Sequence, residues 1–190
     1  MNKRYEMRFT GSGGQGVILM SVVMAEAATV AGKHTIQCQS YGPEARGGLC
    51  KAECMISKNE IYYSRIKKPN FLIALTQGSL EKYAPDVTDD ALIMIDSSLT
   101  PPDYIDPDRL ISIPIIETAQ NVVGKEMTAN MVALGAINAA LGLFTYDEMK
   151  EAVKRHIPQG TVKMNKAAFE AGIAMITPEM AEKFKTDIIV

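Results

Sequence analysis

Six residues near the start of the chain, Gly11-Ser12-Gly13-Gly14-Gln15-Gly16, have the types and the spacing to hold an anion. Glycines in the pattern G-x-G-x-x-G permit a tight turn, let a phosphate approach the backbone, and let a helix pack against the strand before it. A strand-like run, residues 4–10, precedes the pattern, and an amphipathic helical run, residues 17–30, follows it. Such a turn aims the bare N–H groups of a helix N-terminus at negative charge. The same glycines also suit a turn that only packs tightly, and the pattern leaves that reading open.

A second segment follows some thirty residues later: Gln39-Ser40-Tyr41-Gly42-Pro43-Glu44-Ala45-Arg46-Gly47-Gly48. Gly42-Pro43 and Gly47-Gly48 fix a turn that exposes Glu44 and Arg46, and an arginine fork suits phosphate. A solvated loop with incidental charges is the alternative. A nicotinamide site would also need a carboxylate at the end of the second strand. That strand ends Gln37-Cys38-Gln39-Ser40, and Glu44 comes only after a proline. An ordinary dinucleotide dehydrogenase is therefore disfavoured, whereas a phosphate ligand is not. One helix N-terminus contributes about 0.3–1 kcal/mol to holding an anion, and one charged hydrogen bond about 1.5–3 kcal/mol. Together they fall short of the roughly −8 kcal/mol of micromolar binding, so a tight site needs groups from another subunit.

The elements that must position these residues are legible from periodicity. Strands are expected at 5–10, 34–40, 49–56, 71–76, 91–96 and 110–113. Helices are expected at 15–31, 78–83, 115–122, 127–143, 146–156 and 162–176, with a short one opened by Thr177-Pro178-Glu179. Lys58-Asn59-Glu60 reads as a turn that lets 61–66 pair back on 49–56 as a hairpin. The expected architecture is one α/β domain over 1–190, a three-layer α/β/α arrangement around a Rossmann-like mixed sheet with an antiparallel hairpin. The run 127–143 is apolar almost all round and must be covered inside the domain or by a partner chain. In the second case an isolated chain could self-associate as a homo-oligomer.

Composition narrows the function classes. Apolar residues make up 47% of 190 and charged residues 22%, as in ordinary globular proteins. A net charge of −2 gives no case for nucleic acid. No run is long and apolar enough for a membrane span, and the first residues lack the apolar core of a signal peptide, so a cytoplasmic location is expected. Three cysteines without a C-x-x-C and two distant histidines leave little for a metal. Cys50 and Cys54 share a strand face and read as small buried hydrophobes. Lys51 and Glu53 read as a solvated face, and Asn130 and Asn165 as internal hydrogen bonders. Asp96 and Ser97 end a buried strand, where either a ligand or a cap is found.

The two glycine-bearing segments, with Ala129-Asn130-Met131-Val132-Ala133-Leu134-Gly135 and Asn165-Lys166-Ala167-Ala168-Phe169-Glu170-Ala171-Gly172, resemble the gamma subunit of 2-oxoacid:ferredoxin oxidoreductases over nearly the whole chain. Ser-Tyr-Gly-Pro-Glu-Ala-Arg-Gly-Gly looks most like the 2-oxoglutarate branch, with 2-oxoisovalerate and indolepyruvate enzymes as near relatives. The resemblance implies the fold of the gamma domain of pyruvate:ferredoxin oxidoreductase. It also implies a chain that is inactive alone and works with alpha and beta subunits and a ferredoxin-like delta subunit. Thiamine diphosphate, magnesium and the iron–sulfur clusters would sit in those partners, with ferredoxin as electron acceptor and succinyl-CoA as product. Coenzyme A carries the phosphates that Gly11, Ser12, Gly13, Gly14, Gln15, Gly16 and Arg46 could meet. Tyr41, Glu44, Gly47 and Gly48 would form an adjoining site or interface loop. Arg46 could equally close an intersubunit salt bridge, and the whole chain could be an assembly module that binds no ligand.

Overall fold

The computed structural model describes residues 4–40, 48–124 and 126–184. The strands are β1 (Tyr5–Ser12), β2 (His34–Ser40), β3 (Leu49–Ser57), β4 (Phe71–Ala74), β5 (Leu92–Asp96) and β6 (Leu110–Ile113). The helices are α1 (Val17–Val30), α2 (Gln77–Tyr83), α3 (Ile115–Thr118), α4 (Ala129–Leu141), α5 (Tyr146–His156), α6 (Val162–Ala174) and α7 (Pro178–Lys183). Among the described residues the strands form one sheet in the order β2-β3-β1-β4-β5-β6. β3 runs antiparallel to both β1 and β2, while β1, β4, β5 and β6 are parallel.

The antiparallel hairpin exists, but not where periodicity put it. It joins β2 to β3, and residues 61–66 are not a strand. Both edges of β3 are taken, one by β1 and one by β2, so no edge remains for 61–66. The segment instead lies over the sheet, with Ile66 buried and Tyr62 87% exposed.

Alternation along the strands sorts side chains to two faces. Met7, Phe9, Cys54, Phe71, Ile73 and Met94 share a cluster with α1, α4 and α6. Leu72, Ala74, Ile93 and Ile95 form a smaller cluster with Leu80 of α2 and with Ala84 and Ile105. Helices thus flank both faces, most of them on the first.

The apolar helix α4 is covered by the chain itself. Every residue from Ala129 to Asn138 is buried, and α6 crosses it closely. A Cβ at Gly172 would lie 1.9 Å from the Val132 carbonyl oxygen, and one at Gly135 would lie 2.0 Å from that of Phe169. Two glycines therefore let the backbones touch, and partner loss would not uncover this helix. The expectation of self-association through α4 loses its basis.

Glu53 is not on a solvated face. Arg8, only 2% exposed, donates from Nε to Glu53 Oε1 at 2.8 Å and from Nη1 to Asp86 Oδ2 at 3.0 Å. Lys51 Nζ reaches the same Glu53 oxygen at 3.3 Å. On the second sheet face, this ion cluster ties β1, β3 and the turn after α2 together.

Candidate functional site at the glycine turn

β1, β4, β5 and β6 end on one edge of the sheet, and α1 and α2 begin there. In α/β sheets this carboxyl edge is where ligands gather. β2 is parallel to β1, because β3 opposes both, so β2 also ends there and β3 starts there. The end of β2 and the start of β3 thereby lie at the edge that carries the glycine turn. The junction is direct: Gly13 N–H donates to the Gly48 carbonyl at 3.1 Å. Segments thirty residues apart in sequence meet at one backbone bond. Tyr41, Glu44, Arg46 and Gly47 lie outside the described residues.

Gly11 and Ser12 belong to the strand rather than to the turn, where they pair with Cys50 and Leu49. The turn proper is Gly13 to Gly16, with Gly14 at φ +98° and Gly16 at φ +71°. Gly16 occupies the position just before α1, and among the described residues no side chain caps that helix. By contrast, Thr76, Thr145 and Thr177 cap α2, α5 and α7 with their side chains. α1 also has no acidic residue in its first turn to offset the helix dipole. Among the described residues, no acceptor serves the N–H groups of Gly14, Gly16, Val17 and Ile18. Gly13 and Gly14 are exposed, and a Cβ at Gly14 would meet nothing within 4 Å. This end of α1 suits an anion in charge, donors and space.

Two side chains shape the turn from inside. Gln15 folds back, and its Oε1 accepts from Ser12 N–H at 2.7 Å. That oxygen would lie 2.5 Å from a Cβ at Gly11, so a larger residue there would displace the Gln15 side chain and crowd Val17 at 3.1 Å. Asn130, from the first turn of α4, packs on Gly16, with Nδ2 2.2 Å from where a Cβ would stand. Its Oδ1 accepts from Met131 N–H at 2.9 Å. Sequence reasoning named Asn130 as internal but did not connect it to the turn. The available signal was an amide in an otherwise apolar helix.

The remaining candidates have structural roles. Asp96 is buried and accepts from Ser98 N–H and Oγ and from Ile116 N–H, so it caps a turn and the start of α3. Asn165 Nδ2 donates to the Thr161 carbonyl. Burial pushes the Cys54 thiol up to about 12 and raises that of the half-buried Cys50. Among the described residues, no three of His, Cys, Asp and Glu are grouped to hold a metal ion. No described helix is long and apolar enough to cross a membrane.

Residues 6–175 match the family described as pyruvate ferredoxin/flavodoxin oxidoreductase. The chain is 38% identical over 180 residues to the 2-oxoglutarate synthase subunit KorC of Methanothermobacter marburgensis, covering 91% of this chain and 97% of that one. It superposes with TM-score 0.81, at 40% identity and over 90% of its length and 95% of the other's, on the gamma subunit of a keto/oxoacid ferredoxin oxidoreductase from Geobacter sulfurreducens. The fold also recurs, with TM-score 0.79 and 21% identity, in the 2-oxoglutarate:ferredoxin oxidoreductase of Magnetococcus marinus, solved with 2-oxoglutarate, coenzyme A and succinyl-CoA bound. There the match covers 96% of this chain but 32% of that one.

Proposed function

The chain belongs to the pyruvate ferredoxin/flavodoxin oxidoreductase family as a gamma subunit of the 2-oxoacid:ferredoxin oxidoreductases, and we propose that in its complex it supports CoA-dependent oxidative decarboxylation of 2-oxoglutarate to succinyl-CoA and CO2, with reduction of ferredoxin. The choice of 2-oxoglutarate rests on the likeness to KorC subunits. We assign thiamine diphosphate, magnesium and the clusters to alpha, beta and delta companions, and to this chain a share of the CoA site.

The observation that carries the CoA reading is the uncapped N-terminus of α1 at the carboxyl edge of the sheet. Its N–H groups at Gly14 and Gly16, without an acceptor among the described residues, offer a diphosphate what a helix end and a glycine turn can. Their modest strength, against the roughly −8 kcal/mol of micromolar binding, fits a site completed by a neighbouring subunit. Arg46 supplies the cation in this reading. CoA titration of the assembled enzyme carrying Arg46→Ala tests it: the expected result is a higher KM for CoA with the KM for the 2-oxoacid unchanged. A panel of 2-oxoacids assayed on the wild-type complex tests the substrate, with 2-oxoglutarate expected to give the highest kcat/KM.

A second reading has its own support. Gln15 already occupies the Ser12 N–H, and Gly13 already bonds Gly48. Both contacts would also serve a turn that only braces the chain between catalytic subunits. An unchanged CoA KM in the Arg46 variant, with normal assembly, favours that bracing role.

A further inference from the structure

We propose that residues 58–68, laid across the second face of the sheet beside β2, form the seat for a carboxylate-rich surface of a companion subunit. The inference rests on family membership and not on the CoA reading. Lys58, Arg65, Lys67 and Lys68 are all exposed, and Glu60 is the segment's single carboxylate. The segment is thus +3 in a chain of net charge −2. Among the described residues, none of the four cations has a carboxylate within salt-bridge distance. Glu60 itself accepts from the Tyr62 hydroxyl.

The segment is not a helix or a strand, yet its backbone is pinned. Cys38 Sγ donates to the Ser64 carbonyl at 3.2 Å and Arg8 Nη2 to that of Lys67 at 3.4 Å, and just past the segment Thr88 N–H donates to the Pro69 carbonyl at 3.0 Å. Ile66 is buried as an anchor. Tyr63 is held by Glu6 through its hydroxyl and by the Arg4 guanidinium over its ring, 4.4 Å from the centroid. Arg65, Lys67 and Lys68 then rim a hollow of about 770 Å³ with Tyr63 and Glu6. Tyr62, next to Tyr63 in the chain, is 87% exposed. Cations and tyrosines on a fixed backbone are the groups that anchor interfaces.

Charge selects the occupant. A second copy docking through this patch would form an isologous contact and set the four cations against their own equivalents. A carboxylate-bearing companion is attracted instead. β2 adds to the surface, because it is an edge strand with no partner on its outer side among the described residues.

The test uses the assembled complex. The chain's affinity for its companions is measured by titration at rising NaCl, for wild type, for Arg65→Glu/Lys67→Glu/Lys68→Glu and for the matching triple Gln variant. Melting of each isolated chain controls for folding. We expect charge reversal to weaken association about tenfold or more at roughly 0.1 M salt, the Gln variant to fall between, and the wild-type affinity to drop with salt. Unchanged affinity and salt slope in a folded reversal variant would overturn the proposal. So would a wild-type homodimer that the reversal dissolves while affinity for the companions is kept. CoA KM, read in the same preparations, stays at the wild-type value if the two sites are separate.

Discussion

The Asn130 amide of α4 rests on the backbone of Gly16, 2.2 Å from where a Cβ would have to stand. Gly16 is also left-handed, at φ +71°. The N-terminus of α1 is therefore braced by a residue more than a hundred positions away. Gly16→Ala suffers twice, from backbone strain and from collision with Asn130. We expect a loss of about 2–4 kcal/mol in denaturant unfolding. Asn130→Ala in the same chain removes the collision but not the strain, so the double variant should lose less than the sum of the singles. Strict additivity would mean the two do not interact.

In the proposed CoA site, Gln15 and the phosphate would compete for one donor. Its Oε1 holds the Ser12 N–H at 2.7 Å, so a phosphate using that N–H must displace it. Gln15→Ala removes the competitor. The expected outcome is a KM for CoA lower by about threefold to tenfold in the assembled enzyme, the worth of one hydrogen bond. A raised KM would instead show that Gln15 turns to hold the ligand.

Arg8 is a buried cation with two carboxylate partners, and Glu53 is the more buried of them. Arg8→Met leaves Glu53 beside Lys51 alone. Breaking a buried pair on one side costs about 3–5 kcal/mol, whereas replacing both sides with apolar groups is often near neutral. Arg8→Met should therefore destabilise strongly, and Arg8→Met/Glu53→Met should recover most of the loss by thermal or denaturant unfolding. If the double variant is as unstable as the single, the desolvation argument fails.

Elements with their own periodicity were readable from sequence to within a residue or two. β2, β6 and α5 have the expected bounds, because alternation and the Thr145 cap are local signals. The glycine turn was legible for the same reason. The hairpin at 61–66 failed because pairing depends on which strand edges are free, and β1 arrives from far away to fill the one that mattered. Glu53 alternates like a surface residue, and only Arg8, forty-five positions away, reveals it as half of an ion pair. The contacts of Asn130 with Gly16 and of Gly13 with Gly48 are likewise tertiary, and no local pattern encodes them.

Cys54 predicts an alkaline slope in stability. Burial raises its thiol from an ordinary 9.0 to about 12, because the thiolate is poorly solvated in the core. In the unfolded chain the thiol loses its proton from about pH 9, while in the folded chain it keeps it. The folded state then binds more protons, and stability falls as pH rises between those values, by up to about 1.4 kcal/mol per pH unit. The contribution is fully present below pH 9. Cys54→Ala should flatten the slope of unfolding free energy above pH 9 relative to wild type. An identical slope in the two proteins would assign the alkaline loss to other groups.

The crossing of α4 over α6 transmits packing to the turn. A Cβ at Gly172 would lie 1.9 Å from the Val132 carbonyl oxygen, a backbone atom that cannot swing aside. Gly172→Ala must push the helices apart, at an expected cost of about 3 kcal/mol or more. Because α4 also carries Asn130, that displacement moves the support under Gly16. The variant should therefore raise the KM for CoA in the assembled enzyme as well as lower the melting temperature. Gly160→Ala is the control: its Cβ would meet nothing within 4 Å, so stability should stay within about 0.5 kcal/mol. A Gly172 variant that melts earlier yet keeps the wild-type CoA KM would separate helix packing from the turn.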